Sequence, residues 1–259
     1  MPSATLPPVP LFNPIAPEAS GMPLYRSVKR ALLRAIEGGQ LPPGGALPSE
    51  AALGRALGVS IGTLRHAVDE LVAEHILVRR QGRGTFVATH SADRFLFQFF
   101  HVERSDGLRE VPQVELLGFA RQRLDDDAAA AALGLATGAP VYSIENRLVL
   151  QGRPVVHDQI VLPAALFKGL TERRFAERPG TIYQLYQSEF AITVVRALER
   201  ARAVAADRAS ARVLGLAPGM PVMRVSRTAL TFGDKPVEYR VSTIHTAVHE
   251  YVQTLSRPG

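Results

Sequence analysis

The chain contains no cysteine and no tryptophan among its 259 residues. The missing thiols exclude disulfide scaffolds, Cys-ligated zinc, iron–sulfur sites and a cysteine nucleophile, so a metal could enter only through histidine and carboxylates. Also absent is any apolar run approaching the roughly 20 residues needed to span a bilayer. Residues 1–23 hold seven prolines, Pro2 to Pro23, but lack both the basic start and the uninterrupted apolar stretch of a secretory signal. Segment 1–22 therefore reads as a disordered Pro-rich arm, and the cytoplasm is the expected location. No Gly-x-Ser-x-Gly elbow, phosphate-binding loop or dinucleotide fingerprint occurs, so no catalytic residue, cofactor or metal ligand set is expected.

What is present is an ordinary globular composition, 46% hydrophobic and 21% charged, long enough for one large or two small domains. Lys and Arg outnumber Asp and Glu by 30 to 24, and the basic residues are overwhelmingly arginine. Arginine suits forked hydrogen bonding to phosphates as well as solvated surface. From Leu24 the residues Val28, Leu32, Ala35 and Ile36 recur at helical spacing and stop at Gly38-Gly39. Ser49 then stands as a capping serine before a second, two-turn helix that Gly58 ends, and Ser60 caps a third helix with Leu64, Ala67, Val68 and Leu71 inward. That arrangement leaves Thr63, Arg65, His66 and Asp69 outward. Two short helices about Gly58-Val59-Ser60 make a helix-turn-helix. Strands around Ile76–Arg80 and Thr85–Val87 flank Gln81-Gly82-Arg83-Gly84, a reversal that fits a two-stranded wing.

The ordered series Pro23-Leu24-Tyr25, Leu47-Pro48-Ser49-Glu50, Gly58-Val59-Ser60, Thr63-Leu64-Arg65 and Arg80-Gln81-Gly82-Arg83-Gly84-Thr85-Phe86-Val87 resembles the winged helix-turn-helix of GntR-family bacterial transcription regulators. The resemblance implies a DNA-binding domain over 23–88, with Arg65 as the leading DNA contact and Ser60 and Thr63 as backbone clamps. It places Gly82, Arg83 and Gly84 of the wing in the adjacent minor groove; Ser49 and His66 complete the expected set. Many family members carry arginine where Ala51 and Ile61 stand here, and Gly62 is atypical. Because a guanidinium fork matches the two acceptors of guanine, these departures imply a different operator preference. The first 90 residues carry a net +3, half of the total, so useful affinity calls for dimerisation on a two-fold operator.

After a linker at 89–94 the chain turns to β-branched runs interrupted by Gly and Pro. Leu133-Gly134-Leu135-Ala136-Thr137-Gly138-Ala139-Pro140-Val141 is echoed 81 residues later by Leu214-Gly215-Leu216-Ala217-Pro218-Gly219-Met220-Pro221-Val222. Each copy follows an Ala-rich helix and precedes a strand, a small-residue turn and another strand, so two related units would build one antiparallel sheet. This pattern, over 95–252, is similar to the effector domain of the HutC branch of the family, called UTRA, whose fold is like chorismate lyase. The fold expected for the whole chain is α+β, a winged helix-turn-helix followed by an antiparallel-sheet effector-binding and dimerisation domain.

Sugar-phosphate binders resembling this fold place two arginines on one strand, at the positions of Asn146 and Leu148 here, and Arg147 between them faces away because strand side chains alternate. The resemblance therefore implies a small carboxylate or another polar metabolite rather than a sugar phosphate. Asn146, Asp158, Glu238 and Tyr239 are the expected pocket residues, and Ile244 replaces a later family tyrosine, which makes the pocket more apolar. Solvated charges at a sheet edge are the alternative for Asp158 and Glu238. His245 and His249, four apart, read as surface histidines, and Asp125-Asp126-Asp127 as a helix cap. The expected function is a homodimeric, ligand-responsive transcription regulator, a repressor in most of this branch, with double-stranded operator DNA and a small effector as partners and no membrane. The rivals are an architectural DNA-binding dimer without a ligand and a chorismate-lyase-like enzyme fused to a DNA-binding module.

Overall fold

The computed structural model describes residues 12–15, 23–90 and 98–253. Most of the expected arm (1–11 and 16–22) and of the expected linker (91–94) lies outside the described residues. Residues 12–15, counted above as part of that arm, are packed: Phe12 is buried, the Ile15 N–H donates to the Leu57 carbonyl at 2.8 Å, and Pro14 stands against Gly58. Two apolar side chains among the prolines supply the anchor that a proline count does not reveal. The chain divides into two compact units, Met1–Thr89 and His90–Gly259.

In the first unit, α1 (Leu24–Glu37), α2 (Glu50–Leu57) and α3 (Ile61–Ala73) enclose Val28, Leu32, Leu53, Leu57, Leu64 and Leu71, all essentially inaccessible. Ser49 and Ser60 cap α2 and α3, and Gly58 takes the left-handed conformation (φ 68°) that ends α2 and starts the turn. Strands β1 (Leu77–Arg80) and β2 (Gly84–Val87) pair antiparallel from Leu77↔Val87 to Arg80↔Gly84. The stretch before α2 joins this wing, with Gly44 donating to Val87 and Leu47 to Thr85.

The second unit opens with β3 (Val102–Arg104), which pairs with β10 (His249–Tyr251). Between them run β4 (Gln113–Arg123), α4 (Asp127–Leu133), β5 (Pro140–Leu150), β6 (Arg153–Pro163), α5 (Glu172–Ala176), α6 (Ile182–Phe190), β7 (Arg196–Ala205), α7 (Arg208–Leu214), β8 (Pro221–Leu230) and β9 (Pro236–Ile244). The antiparallel sheet order β4-β5-β6-β9-β8-β7 reads the same from either edge once the repeat is taken into account. Each half contributes an outer strand, a helix and a hairpin, and the halves meet at β6–β9. Even the caps repeat: Asp126 and Asp207 accept at the N-termini of α4 and α7, and Gly134 and Gly215 end them at φ 62° and 67°.

Alternation along the strands divides the sheet into two faces. One face carries Ile144, Leu148, Ile160, Leu162 and Val225 against Phe167, Phe175, Tyr183 and Tyr186, which makes the main core. The other receives Ala129, Ala130 and Leu133 of α4 against Val141 and Tyr239. Truncating Leu162, fully buried in the main core, to alanine is expected to destabilise the protein by about 2–5 kcal/mol. The same change at Leu198, 54% exposed on the edge strand β7, should stay within about 0.5 kcal/mol; urea unfolding of both variants checks the contrast.

Candidate nucleic-acid interface and ligand cavity

The first turn of α3 and the wing tip form the exposed polar surface of the first unit. The Ser60 hydroxyl accepts from the Thr63 N–H at 3.2 Å and lies 2.9 Å from the Thr63 hydroxyl, while Ser49 accepts from the Ala52 N–H at 3.2 Å. Both serines thus stand at helix N-termini, where backbone N–H groups and the helix dipole favour anions. Arg65 is exposed, and its Nε donates to Glu50 Oε2 at 2.7 Å. His66 packs edge-on against the Tyr25 ring, 4.1 Å between centroids, and its Nε2 is 3.8 Å from Glu70. Asp69 pairs with Arg79, and the Arg80 guanidinium lies 4.7 Å above the Phe86 ring. Beyond them Arg83 is exposed at the wing tip. Gly82 and Gly84 have φ of +68° and +105°, and no atom stands within 4 Å of where a Cβ would be. Backbone conformation, rather than crowding within the unit, is what calls for glycine there.

In the second unit, β5, β6 and β9 bring Asn146 opposite Asp158 and carry Arg240 onto the same face. Arg240 Nη1 donates to Asp158 Oδ2 at 3.1 Å, and Ser242 Oγ donates to Asp158 Oδ1 at 2.5 Å. Arg240 also reaches Glu238 through Nε at 3.0 Å and Nη2 at 3.1 Å. Glu238, wholly inaccessible, further accepts from the Tyr183 hydroxyl at 3.1 Å and the Tyr186 hydroxyl at 2.7 Å. Burial and the adjacent carboxylate push the Tyr183 phenol up to about 12 and Tyr186 well above 10.0, so both stay protonated donors. Burial opposes the charge on Arg240, but Glu238 and Asp158 outweigh it and keep the guanidinium ionised.

A cavity of about 390 Å³ adjoins this cluster, lined in part by Asn146, Leu148, Asp158, Arg178, Ile182 and Arg240. Asn146 is 2% exposed and its Oδ1 has no partner; the buried Nε of Arg178 has none either. Of the four residues expected at the pocket, the structure brings Asn146 and Asp158 together at the cavity. Glu238 lies behind Arg240, and Tyr239 points to the opposite face of the sheet, against α4, because successive strand residues alternate. Neither Asp158 nor Glu238 is a sheet-edge charge: β6 and β9 are the central strands. Ile244 packs in the main core and does not line the cavity. His249 is buried on β10 with Nε2 3.1 Å from Gln151 Oε1, not at the surface as its sequence context led us to expect. Burial moves its pKa down from 6.5, and β3–β10 pairing is what withdraws it from water.

Arg178, Arg240, Tyr183 and Tyr186 were not singled out from the sequence. The spacing of Glu238 and Arg240, two apart on a strand, could have placed them on one face; nothing local marked Arg178. The repeat relates Asn146 to Arg227 on β8, which pairs with Glu199 and donates to the Phe99 carbonyl, while Tyr251 donates to Glu199. Burial works against ionising Glu199, yet Arg227 and Tyr251 outweigh it and its carboxyl titrates below 4.5. Falling pH protonates the unfolded chain first, so this stabilisation is complete above about 4.5 and disappears as pH drops through the lower folded value. The urea midpoint of wild type is accordingly expected to fall more steeply with acid in that window than that of Glu199→Gln.

Residues 24–87 match the model of the gntR family of bacterial regulatory proteins, and residues 108–250 match the UTRA domain. The chain is 27% identical over 242 residues to the HTH-type transcriptional repressor NagR of Bacillus subtilis, covering 92% of this chain and 97% of that one. It is 31% identical over 255 residues to an HTH-type transcriptional regulator of Mycobacterium tuberculosis, covering 92% and 88%. The crystal structure of the ligand-binding domain of a GntR-family transcriptional regulator from Bordetella bronchiseptica superposes with a TM-score of 0.57 at 32% identity, over 62% of this chain and 99% of that one. The chain belongs to the gntR family of bacterial regulatory proteins and is a DNA-binding transcription regulator with a UTRA domain.

Proposed function

We propose that the protein is a cytoplasmic homodimeric repressor, and not an enzyme, whose operator affinity is set by a small molecule held in the cavity at Asn146, Asp158 and Arg178. The observation that carries this reading is the cavity itself. It adjoins an ion-pair cluster, and two of its lining residues carry buried polar atoms without partners, Asn146 Oδ1 and Arg178 Nε, in a chain whose other unit is a winged helix-turn-helix. Buried polar groups left unsatisfied cost about 1–3 kcal/mol each, which a ligand that pairs them recovers. The strand positions of Asn146 and Leu148 offer no guanidinium pair, which favours a carboxylate or another polar metabolite over a sugar phosphate. Effector binding would change the spacing of the two recognition helices in the dimer.

On the DNA side, Ser49, Ser60, Thr63, Arg65, His66, Gly82, Arg83 and Gly84 remain the proposed interface. The structure adds a competitor, Glu50, which holds Arg65 at 2.7 Å. DNA phosphates or a guanine edge must displace that carboxylate. With sites selected from a random pool, Arg65→Ala is expected to weaken binding by about 1–3 kcal/mol with little change in melting temperature, since exposed ion pairs contribute about 0–1 kcal/mol. Arg83→Ala should weaken all sequences alike and reduce the slope of affinity against salt by about 1. Glu50→Gln, which frees Arg65, should tighten binding. An effector drawn from a thermal-shift screen should change operator affinity by roughly 5–150-fold; no change with any stabilising compound would overturn the regulatory reading.

A further inference from the structure

Three charged side chains line the cavity, and they are not equivalently matched. Asp158 is committed to Arg240 and Ser242, and Arg240 to Asp158 and Glu238. Among the described residues Arg178 has no carboxylate partner: its Nη1 donates to the Phe175 carbonyl at 2.5 Å, its guanidinium lies 4.5 Å from the Phe175 ring centre, and its Nε is buried without a partner. It sits in the loop between α5 and α6, and the segment that follows, Gly180-Thr181-Ile182, brings the N-terminus of α6 to the same wall. That side of the cavity is therefore positive twice over, from a guanidinium with no counterion among the described residues and from a helix dipole.

The sheet side has the opposite character. Asn146 stands on that wall, 2% exposed, and its buried carbonyl oxygen has no hydrogen-bond partner. Next to it one guanidinium, that of Arg240, is shared by two carboxylates, Asp158 and Glu238. Between the two sides the lining is apolar, with Val111, Val114, Leu148 and Ile182. A simple carboxylate would satisfy Arg178 and leave the acceptor side unmatched. A neutral sugar offers Arg178 no charge, and a phosphate dianion adds repulsion from the acidic cluster. A ligand with a carboxylate at one end and a cationic donor at the other matches both sides and leaves no buried polar group unpaired.

We propose that the effector is an amino carboxylate with an apolar body, its carboxylate on Arg178 and the α6 N-terminus and its ammonium group on Asn146 Oδ1 and Asp158. This rests on the reading of the cavity as the effector site. Arg178 takes over, from a loop, the anchoring that the strand positions of Asn146 and Leu148 do not supply.

The test uses the full chain and a panel of probes: the apolar L-amino acids, 4-aminobutyrate, 5-aminopentanoate and 6-aminohexanoate. Each is compared with its carboxamide and its deaminated acid (leucine with leucinamide and 4-methylpentanoate), and inorganic phosphate is a control. Thermal shift and titration calorimetry are the readouts. The expected result is at least one amino carboxylate that binds, with its amide and its deaminated acid each at least tenfold weaker. Arg178→Met should lose at least tenfold in affinity, Arg178→Lys should lose less, and Asn146→Leu should discriminate against the deaminated acid no longer. Without ligand, Arg178→Met should melt at or above the wild-type temperature, because it removes a half-buried charge that the fold does not pair. The inference is overturned if no panel member binds, if the amide binds as well as the acid, if Arg178→Met binds unimpaired, or if that variant melts lower without ligand. The two readings fail separately. An Arg178-dependent amino carboxylate that leaves operator affinity unchanged defeats the effector reading alone, whereas an Arg178-independent sugar that shifts operator affinity defeats the present inference alone.

Discussion

Arg240 is a guanidinium withdrawn from water at the centre of a six-stranded sheet, and the C-terminal unit is organised around keeping it there. Moving such a charge into the interior costs several kcal/mol, which mutual attraction offsets only when the geometry is good and the remaining donors are satisfied. Here Asp158 comes from β6, Glu238 from β9 itself, and Tyr183 and Tyr186 from α6. One cation thus fixes the register of the two central strands and the seating of a helix. It also sets the electrostatics of the adjoining cavity, since every acceptor that Arg240 occupies is one a ligand must share.

Among the described residues the internal repeat shows how the half of the sheet that holds the cavity differs from the other. Asn146 faces Asp158 across β5–β6, and their counterparts Arg227 and Arg240 face each other across β8–β9. In the second half the position is closed, with Arg227 engaged by Glu199 and by the Phe99 carbonyl and with Tyr251 alongside. In the first half the same position is a short neutral amide, and room for a ligand remains. The fold is nearly symmetric, and the proposed sensing function lies where the symmetry is broken.

In the DNA-binding unit three basic side chains are matched by carboxylates at home. Arg65 lies against Glu50, Arg79 against Asp69, and Lys29 against Glu70 and Glu74. A net +3 distributed in this way gives weak non-specific attraction, so in the proposed dimer exchange of these carboxylates for phosphates would supply affinity twice over. Exposed pairs are inexpensive to break, which makes such neutralisation compatible with tight operator binding.

The winged unit was legible in the sequence because its signals are local. Ser49 and Ser60 cap by hydroxyl chemistry within one turn, Gly58 supplies a left-handed residue, and periodicity marks the faces that bury Leu64 and Leu71. The 81-residue echo likewise foretold the sheet and its two helices. Periodicity could not tell which of Glu238 and Tyr239 faces the ligand side, since a strand offers two faces and only the packing of α4 against one and α6 against the other assigns them. Arg240 pairs with Asp158 from 82 positions away, the tyrosines that hold Glu238 come from more than 50 away, and Arg178 acquires meaning only once the fold brings it to the same cavity as Asn146. Sequence determined the caps, turns and repeat, whose interactions span a few residues. Tertiary structure alone decided which charges were paired and which were not, because that depends on desolvation and proximity between strands that the chain order keeps apart.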